Sequence, residues 1–450
     1  MADPSWVFHP FRGIRYDLAR CSDLSDLISP PYDVISQQRQ AELYARSDRN
    51  FVRVELTRAG VPGRYEEAAR ILRAWLNEGA LVREEAPAIY VLEQEFTVGG
   101  KRSRRRGLFG LVRLPEAGRE YVLSHEGTLA EPKADRLNLM RACRAMTSPI
   151  MLMAEDADRS LLCLLQQIGG PPDATATEND GVADRLWALS DADTNRCIAR
   201  AIGGGPLYIA DGHHRFETAL TYRDEMRARF PGAPPTAGFN HALALVTSAQ
   251  DDGLRIFPTH RLISGLDEQA KPNLRECMEQ YFEMEERALA RADGSLDLGW
   301  LDEPGSEVHV LGVYSGDSRV WRLIAKPDSI PAAASVVERL DVSILHRYLV
   351  DPALAGTSCA VAVGGSISHD SHAAGPAARG TRLTYTTDAA QAIAAVDRGD
   401  YDVAFFLRPT QVADVIAAAR AGERMPGKST YFYPKVPAGL VLSDASEESI

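Results

Sequence analysis

The segment Leu207-Tyr208-Ile209-Ala210-Asp211-Gly212-His213-His214-Arg215, continuing into Phe216-Glu217-Thr218-Ala219-Leu220, constrains this chain more than any other stretch. Leu207-Tyr208-Ile209 reads as an apolar strand, and a helix opens where the run ends. A strand-to-helix junction presents backbone N–H groups and the positive end of a helix dipole, which is a ready site for anions, phosphate above all. Here two imidazoles, one guanidinium and one carboxylate crowd the junction. A plain N-cap at Asp211 followed by a solvated turn is the structural alternative, but consecutive His-His-Arg adds little to capping. Phosphate binding by Gly212, His213, His214 and Arg215 is the first expectation.

With 450 residues the chain exceeds one ordinary core, so two or three domains or subdomains are expected. Hydrophobic residues at 45% and charged residues at 25% describe a soluble globular protein. A formal net charge of −12 argues against a nucleic-acid-binding surface. The one dense basic run, Lys101-Arg102-Ser103-Arg104-Arg105-Arg106, follows Gly99-Gly100 and reads as a charged hairpin tip. Cys21, Cys143, Cys163, Cys197, Cys277 and Cys359 lack CxxC spacing and fit reduced thiols. The N-terminus does not read as a signal peptide, and no apolar run suffices to span a membrane. The expected setting is the cytoplasm, with no nucleic acid or membrane partner. Nothing in the sequence fixes the oligomeric state.

The fold class predicted is α/β of the mixed α+β kind, with partly parallel sheets, in three sections: 1–116, 117–250 and 251–450. In the first, Pro30-Pro31-Tyr32-Asp33-Val34 is a rigid extended-to-turn element. Tyr65–Leu76 is helical, and Ile89–Leu92 should pair with 107–112 across the basic tip. In the second, Glu131–Ala145 is helical, Ser148–Met153 is a buried strand and Gly169–Val182 a surface loop. In the third, Val336–Val350 reads as one amphipathic helix and Val403–Leu407 as a strand suited to a sheet centre.

Other segments carry chemistry. Ser124-His125-Glu126-Gly127-Thr128 follows strand-like Tyr121-Val122-Leu123 and precedes Pro132-Lys133-Ala134-Asp135-Arg136. A carboxylate at a strand end can serve as a general base; a solvated surface turn is the competing interpretation. Gly422 to Ser429 satisfies G-x-x-x-x-G-K-[ST], but a phosphate loop must follow a buried strand and open a helix. Here a helix precedes the match and Tyr431-Phe432-Tyr433-Pro434 follows it. Lys428, Ser429 and Lys435 remain candidates to line a polar site. His260 and Arg261, in Pro258-Thr259-His260-Arg261, and Arg408 at the end of an apolar strand are candidate cationic contacts. His369, Asp370 and His372 have metal-ligand chemistry without a partner cluster.

Taken together, Pro30 to Ile35, Ser124 to Glu126 with Lys133 to Arg136, Ala210 to Arg215, Pro258 to Arg261 and Met425 to Lys435 resemble a widespread prokaryotic domain-of-unknown-function family, over nearly the whole chain. More distantly, the His-Glu pair followed by Asp-Gly-His-His-Arg resembles the free serine kinases of the ParB/sulfiredoxin-like superfamily, over about 120–225. That resemblance implies a ParB/sulfiredoxin-like nucleotide-binding core with added N- and C-terminal α/β sections. It implies ATP or ADP as donor, Asp-Gly-His-His-Arg on the nucleotide phosphates, and Glu126 as base on a serine hydroxyl, with His125 beside it. Asp211 would assist the base or hold Mg²⁺ delivered with the nucleotide, since no all-protein metal cage is evident. Lys133, Arg136, His260, Arg261, Arg408, Lys428, Ser429 and Lys435 would supply further substrate or phosphate contacts. The expected partners are thus a nucleotide and a small hydroxy amino acid. A nucleotide-binding regulatory switch, or a phosphatase acting on a small phosphorylated metabolite, uses the same anion site and stays open at this level.

Overall fold

Alternating apolar residues set up a nine-stranded sheet whose members come from both halves of the first 250 residues. The computed structural model describes residues 6–21, 23–58, 60, 62–289, 296–303, 308–316, 319–327, 329–330, 335–356 and 380–450. The chain divides into two units. Unit 1 comprises 1–124, 128–255 and 432–450; unit 2 comprises 125–127 and 256–431. The expected boundary near 116 is therefore not a boundary of the fold. Strands on both sides of it hydrogen-bond in one sheet, and the C-terminal 432–450 segment returns to unit 1.

Strands of unit 1's large sheet are β1 (Phe8–His9), β2 (Ile89–Val98), β3 (Lys101–Arg113), β4 (Val122–Leu123), β5 (Ile150–Ala154), β6 (Ala174–Thr177), β7 (Ala183–Leu189), β8 (Leu207–Asp211) and β9 (His241–Ser248). Their order is β4-β8-β5-β9-β3-β2-β7-β6, with β1 also on β3. Pairs β4–β8 and β5–β9 are parallel and the rest antiparallel, so the sheet is mixed, as expected. Every residue of β5 and β9 is buried, consistent with central strands. Part of the presumed surface loop 169–182 is edge strand β6, whose Ala174 and Ala176 point inward while its threonines face out.

The basic run lies in β3 rather than at the hairpin tip, which is Gly99-Gly100. Period-two alternation separates its arginines. Arg102 pairs with Glu95, and Arg104 and Arg106 with Glu93, while Arg105 on the opposite face is 1% exposed. The run thus divides between ion pairs on one face and one buried guanidinium on the other.

Two helices complete the frame used below, α1 (Ala130–Cys143) and α2 (His213–Arg229), which pack on each other. Phe216, Ala219, Tyr222 and Met226 form the buried stripe of α2. Helix α1 ends at Arg144 in the left-handed region, whose N–H returns to the Met140 carbonyl.

Unit 2 has a six-stranded sheet made of Phe282–Ala288, Arg319–Ala325, Val310–Tyr314, Val403–Phe406, His260–Ser264 and Arg382–Thr386 in that spatial order, every pair antiparallel. Val403–Phe406 is fully buried and central, the place its composition suited. The expected helix 336–350 is broken instead into a 3₁₀ turn (Val337–Arg339), a short α-helix (Asp341–Leu345) and a π turn (His346–Val350). Periodicity shows which residues face inward but not how tightly each turn is wound.

Candidate active site

At the end of β8 the chain makes the turn that its sequence announces. Gly212 takes φ +94° as the N-cap of α2. A side chain there would be strained by that angle, and its Cβ would sit 3.0 Å from the Arg215 guanidinium. Glycine is required on both counts. The first turn of α2 then presents N–H groups that no intrahelical carbonyl satisfies.

Asp211 anchors the junction. One of its oxygens accepts from Arg215 Nη2 and the other from Lys435 Nζ. Burial alone would raise the Asp211 carboxyl, but Lys435 and Arg215 outweigh it and hold it well below the usual carboxylate range. Arg215 also donates to the Pro149 carbonyl and is only 7% exposed. The Arg215 guanidinium therefore sits behind the turn as a fixed charge and is not presented as an open phosphate ligand. Each Asp211 oxygen thus accepts from one cationic donor. Two cations, Arg215 and Lys435, face one carboxylate beneath a helix N-terminus.

The histidines divide. His213 is buried at the first helical position, 6% exposed. His214 Nε2 accepts from Leu129 N at 2.9 Å. An accepting Nε2 carries no proton, so in this arrangement His214 is neutral and fixes the start of α1 instead of offering a cation.

Register brings Ser124, which opens the second predicted segment, to the same end of the sheet. Parallel pairing of β4 with β8 sets Val122 opposite Leu207 and Leu123 opposite Tyr208. Thr128, just beyond, donates through Oγ1 to Glu217 on the first turns of α2, where Lys133 Nζ also lies 2.9 Å away. Lys133 is thus an ion-pair partner of Glu217. Arg136 stacks 4.0 Å above the Tyr32 ring, donates to the Glu55 carbonyl at 2.8 Å and pairs with Asp135. Glu55, fully buried, accepts from Thr147 Oγ1 (2.6 Å) and Ser148 Oγ (2.9 Å). The Pro-Pro-Tyr-Asp turn thereby serves as a lid on Arg136.

A row of polar residues crosses the same sheet, unpredicted. Asp184, Gln94 and Arg105 are opposite one another on β7, β2 and β3. Gln94 Nε2 donates to Asp184 Oδ1 at 3.0 Å and to the Lys435 carbonyl at 3.1 Å, while its Oε1 accepts from Arg105. Arg105 further donates to the Pro434 carbonyl at 2.7 Å. Burial pulls Arg105 down to about 10. Burial pushes Asp184 up to about 7, and pushes Glu178 up with help from Asp184 and Asp180. This row holds Pro434-Lys435 and so places the Lys435 ammonium on Asp211. The sequence signal was available, as polar Gln94 and basic Arg105 in otherwise apolar strands, but it becomes readable only once the register is known.

Within unit 2, His125, Glu126 and the Met425–Thr430 segment form a second arrangement. Met425 N donates to the His125 carbonyl at 2.8 Å, and Glu126 bridges Met425 in parallel. His125, fully buried, lies 3.4 Å from Thr430 Oγ1 through Nε2. Lys428 N donates to Glu126 Oε1 at 3.1 Å. The Walker-like match is a turn between the helix Val412–Arg420 and the strand Tyr431–Tyr433, with Lys428 at φ +58°. It is not a phosphate loop, since no strand feeds it and no helix follows. Ser429 Oγ donates to the Pro426 carbonyl, and the Ser429 carbonyl accepts from Thr410 Oγ1.

The remaining predicted cations are committed locally. His260 is buried, accepts through Nδ1 from Leu407 N at 3.3 Å, and is pushed down to about 4 by burial and by Arg261. Arg408 donates to Asp341 Oδ2 and to the Val308 carbonyl, at 2.8 and 2.9 Å. Arg261 holds the carbonyls of Gly427 and Lys428. His369, Asp370 and His372 lie outside the described residues. Among the described residues no helix is long and apolar enough to cross a membrane.

The class defined by this architecture is a mixed α/β protein. The chain belongs to the family described as Protein of unknown function (DUF1015), which matches residues 8–343. No curated protein matches it. Solved structures of low identity are similar over much of their length. A conserved hypothetical protein from Pyrococcus furiosus is 13% identical, with 76% of this chain and 95% of that chain covered at a TM-score of 0.35. A free serine kinase in complex with AMP is 13% identical, with 76% and 92% covered at 0.37. A C-terminally truncated SbnI from Staphylococcus aureus is 10% identical, with 73% and 84% covered at 0.34.

Proposed function

We propose that unit 1 binds a nucleotide by its phosphates at the Gly212 junction. We further propose that the protein transfers a phosphoryl group from ATP or ADP to the hydroxyl of a small amino acid, free L-serine first among candidates. The observation that carries the reading is the clamp of Lys435 and Arg215 on Asp211 beneath the helix start. It sets two cationic side chains behind a glycine turn that opens a helix, where backbone N–H groups can meet an anion. Gly212 and the N–H groups of His213 and His214 would contact the phosphates, with Lys435 and Arg215 supplying the field behind them. Catalysis would then be positioning and charge stabilisation. Mg²⁺ would enter with the nucleotide, whose phosphate charge demands a divalent ion.

Glu126 would deprotonate the acceptor hydroxyl. The test is calorimetry with ATP and with ADP in Mg²⁺, alongside mass spectrometry of a mixture of hydroxy amino acids. Binding of nucleotide with a mass gain of one phosphoryl group on serine is expected. Absence of nucleotide binding by the folded protein overturns the reading.

A further inference from the structure

Two motifs remain unabsorbed by the nucleotide site: Pro258-Thr259-His260-Arg261 and Met425 to Thr430. In unit 2 they meet. Arg261 is 1% exposed, and its Nη2 donates to the carbonyls of Gly427 (3.3 Å) and Lys428 (3.2 Å), while Nη1 donates to the Thr259 carbonyl. The far side of that turn presents Lys428 N to Glu126 Oε1 at 3.1 Å. One turn thus has its carbonyls gripped by a guanidinium and its amide pointed at a carboxylate.

We propose that Arg261 is a positioning residue for Glu126, acting through the Gly427–Lys428 turn; the proposal rests on the reading of Glu126 as the base. A turn whose central lysine sits at φ +58° costs free energy and persists only when its surroundings hold it. Arg261 supplies that hold. Behind it, Arg261 Nε points to His346 Nε2 at 3.4 Å, and His346 Nδ1 lies 3.3 Å from Asp351 Oδ1. Burial pulls His346 down, so the ring is neutral. Its one proton then belongs on Nδ1, facing Asp351, and Nε2 accepts from the arginine. The Tyr385 ring lies 5.3 Å from the Arg261 guanidinium and closes another side. Burial pulls Arg261 down to about 10, while Tyr385 and Glu126 favour its charge. The Lys428 side chain has no part in this arrangement, since only its backbone amide is used. That accounts for a Gly-Lys-Ser sequence that looks phosphate-binding and is not.

The test uses the full chain carrying Arg261→Met, which keeps buried bulk and removes both charge and donors. With ATP, Mg²⁺ and serine, kcat should fall by about 10- to 100-fold while KM for ATP stays within about twofold, as expected for a misplaced base. In lysine-selective ¹⁵N spectra, exchange of the Lys428 amide should quicken by about tenfold or more as its carboxylate bond loosens. Arg261→Lys, which can reach one carbonyl, should recover part of both effects. An unchanged Lys428 amide in folded Arg261→Met overturns the proposal. If Arg261→Met does not fold, an amide-to-ester replacement at Lys428 removes the single donor. Unchanged kcat in that variant overturns the proposal equally. Normal turnover by Glu126→Gln, with the Lys428 amide still loosened in Arg261→Met, discards the base and leaves the positioning role intact.

Discussion

Unit 1 and unit 2 each contain a glycine-bearing turn that handles negative charge, and they do so by opposite means. At Gly212 the turn ends a buried strand and opens a 17-residue helix, so its N–H groups converge outward with two cations fixed beneath. At Gly427-Lys428 the turn joins a helix to a strand, and its amide is spent on the chain's own Glu126. The sheets differ in the same sense. Unit 1's mixed sheet lets β4 and β8 run parallel and end together, whereas unit 2's antiparallel sheet spreads its strand ends to both edges. The lesson is that the element after a turn decides whether it can take an external anion. The letters of a motif do not.

The comparison can be broken most severely at Glu126. Glu126→Gln keeps the acceptor for Lys428 N but cannot take a proton, so turnover should fall by about 10²–10⁴ with nucleotide affinity unchanged. Equal rates for wild type and variant would reduce the unit 2 turn to a structural one. Next in size is Arg215→Met. It removes a buried donor to both Asp211 and Pro149, and unfolding in urea should show a loss of about 3 kcal/mol. A loss under about 0.5 kcal/mol would show that the clamp contributes nothing. Lys435→Met should weaken nucleotide binding by about 1.5–3 kcal/mol in calorimetry, the scale of one unit charge acting over several ångströms at an effective dielectric of about 20.

A pH series sharpens the contrast inside unit 1. Asp184 is pushed up to about 7 when folded, so its contribution to stability is complete below about pH 4 and is lost as pH rises through 7. Asp184→Asn should flatten that decline and raise stability at pH 8 by about 2 kcal/mol. Asp211 has the opposite sign. It is held low, so its contribution is present above about pH 4 and fades as acid titrates it. Denaturant midpoints across pH 3–9 check both. The smallest effect is expected for Lys428→Gly, where φ +58° suits glycine; stability should change by no more than about 0.5 kcal/mol and nucleotide affinity not at all. A large loss of affinity would restore the phosphate-loop reading.

Local features were legible in the chain itself. The strand 207–209 with a helix opening after it, the pairing of 89–92 with 107–112 and the central apolar strand at 403–407 follow from periodicity and glycine placement, whereas the basic run read as the hairpin tip is itself strand. The adjacency of strands 121–123 and 207–209 could also be anticipated, because both carry chemistry at their ends. Side-chain roles were less legible. Arg215, His214 and Arg408 are cationic or potentially cationic in sequence. Their partners Pro149, Leu129 and Asp341 lie 66 to 85 positions away and cannot be inferred from spacing. The row Asp184–Gln94–Arg105 depends on the registers of two strand pairs, and a one-residue slip would turn each residue to the other face.

What the sequence by itself determined is therefore the set of short-range geometries: where a strand must stop, where only glycine can turn, and which positions face a core. Those depend on torsion angles and on neighbours within a turn or two, and the residues fix them directly. What only the tertiary structure decided is how each charge is used. A buried charge is stable only when a partner lies within a few ångströms, and in this chain the partner is often supplied from far along the sequence. Asp211 meets Lys435 across 224 positions, and Glu126 meets Lys428 across 302. Those meetings leave Asp211 clamped between two cations beneath the Gly212 junction, and Lys428 acting through its backbone.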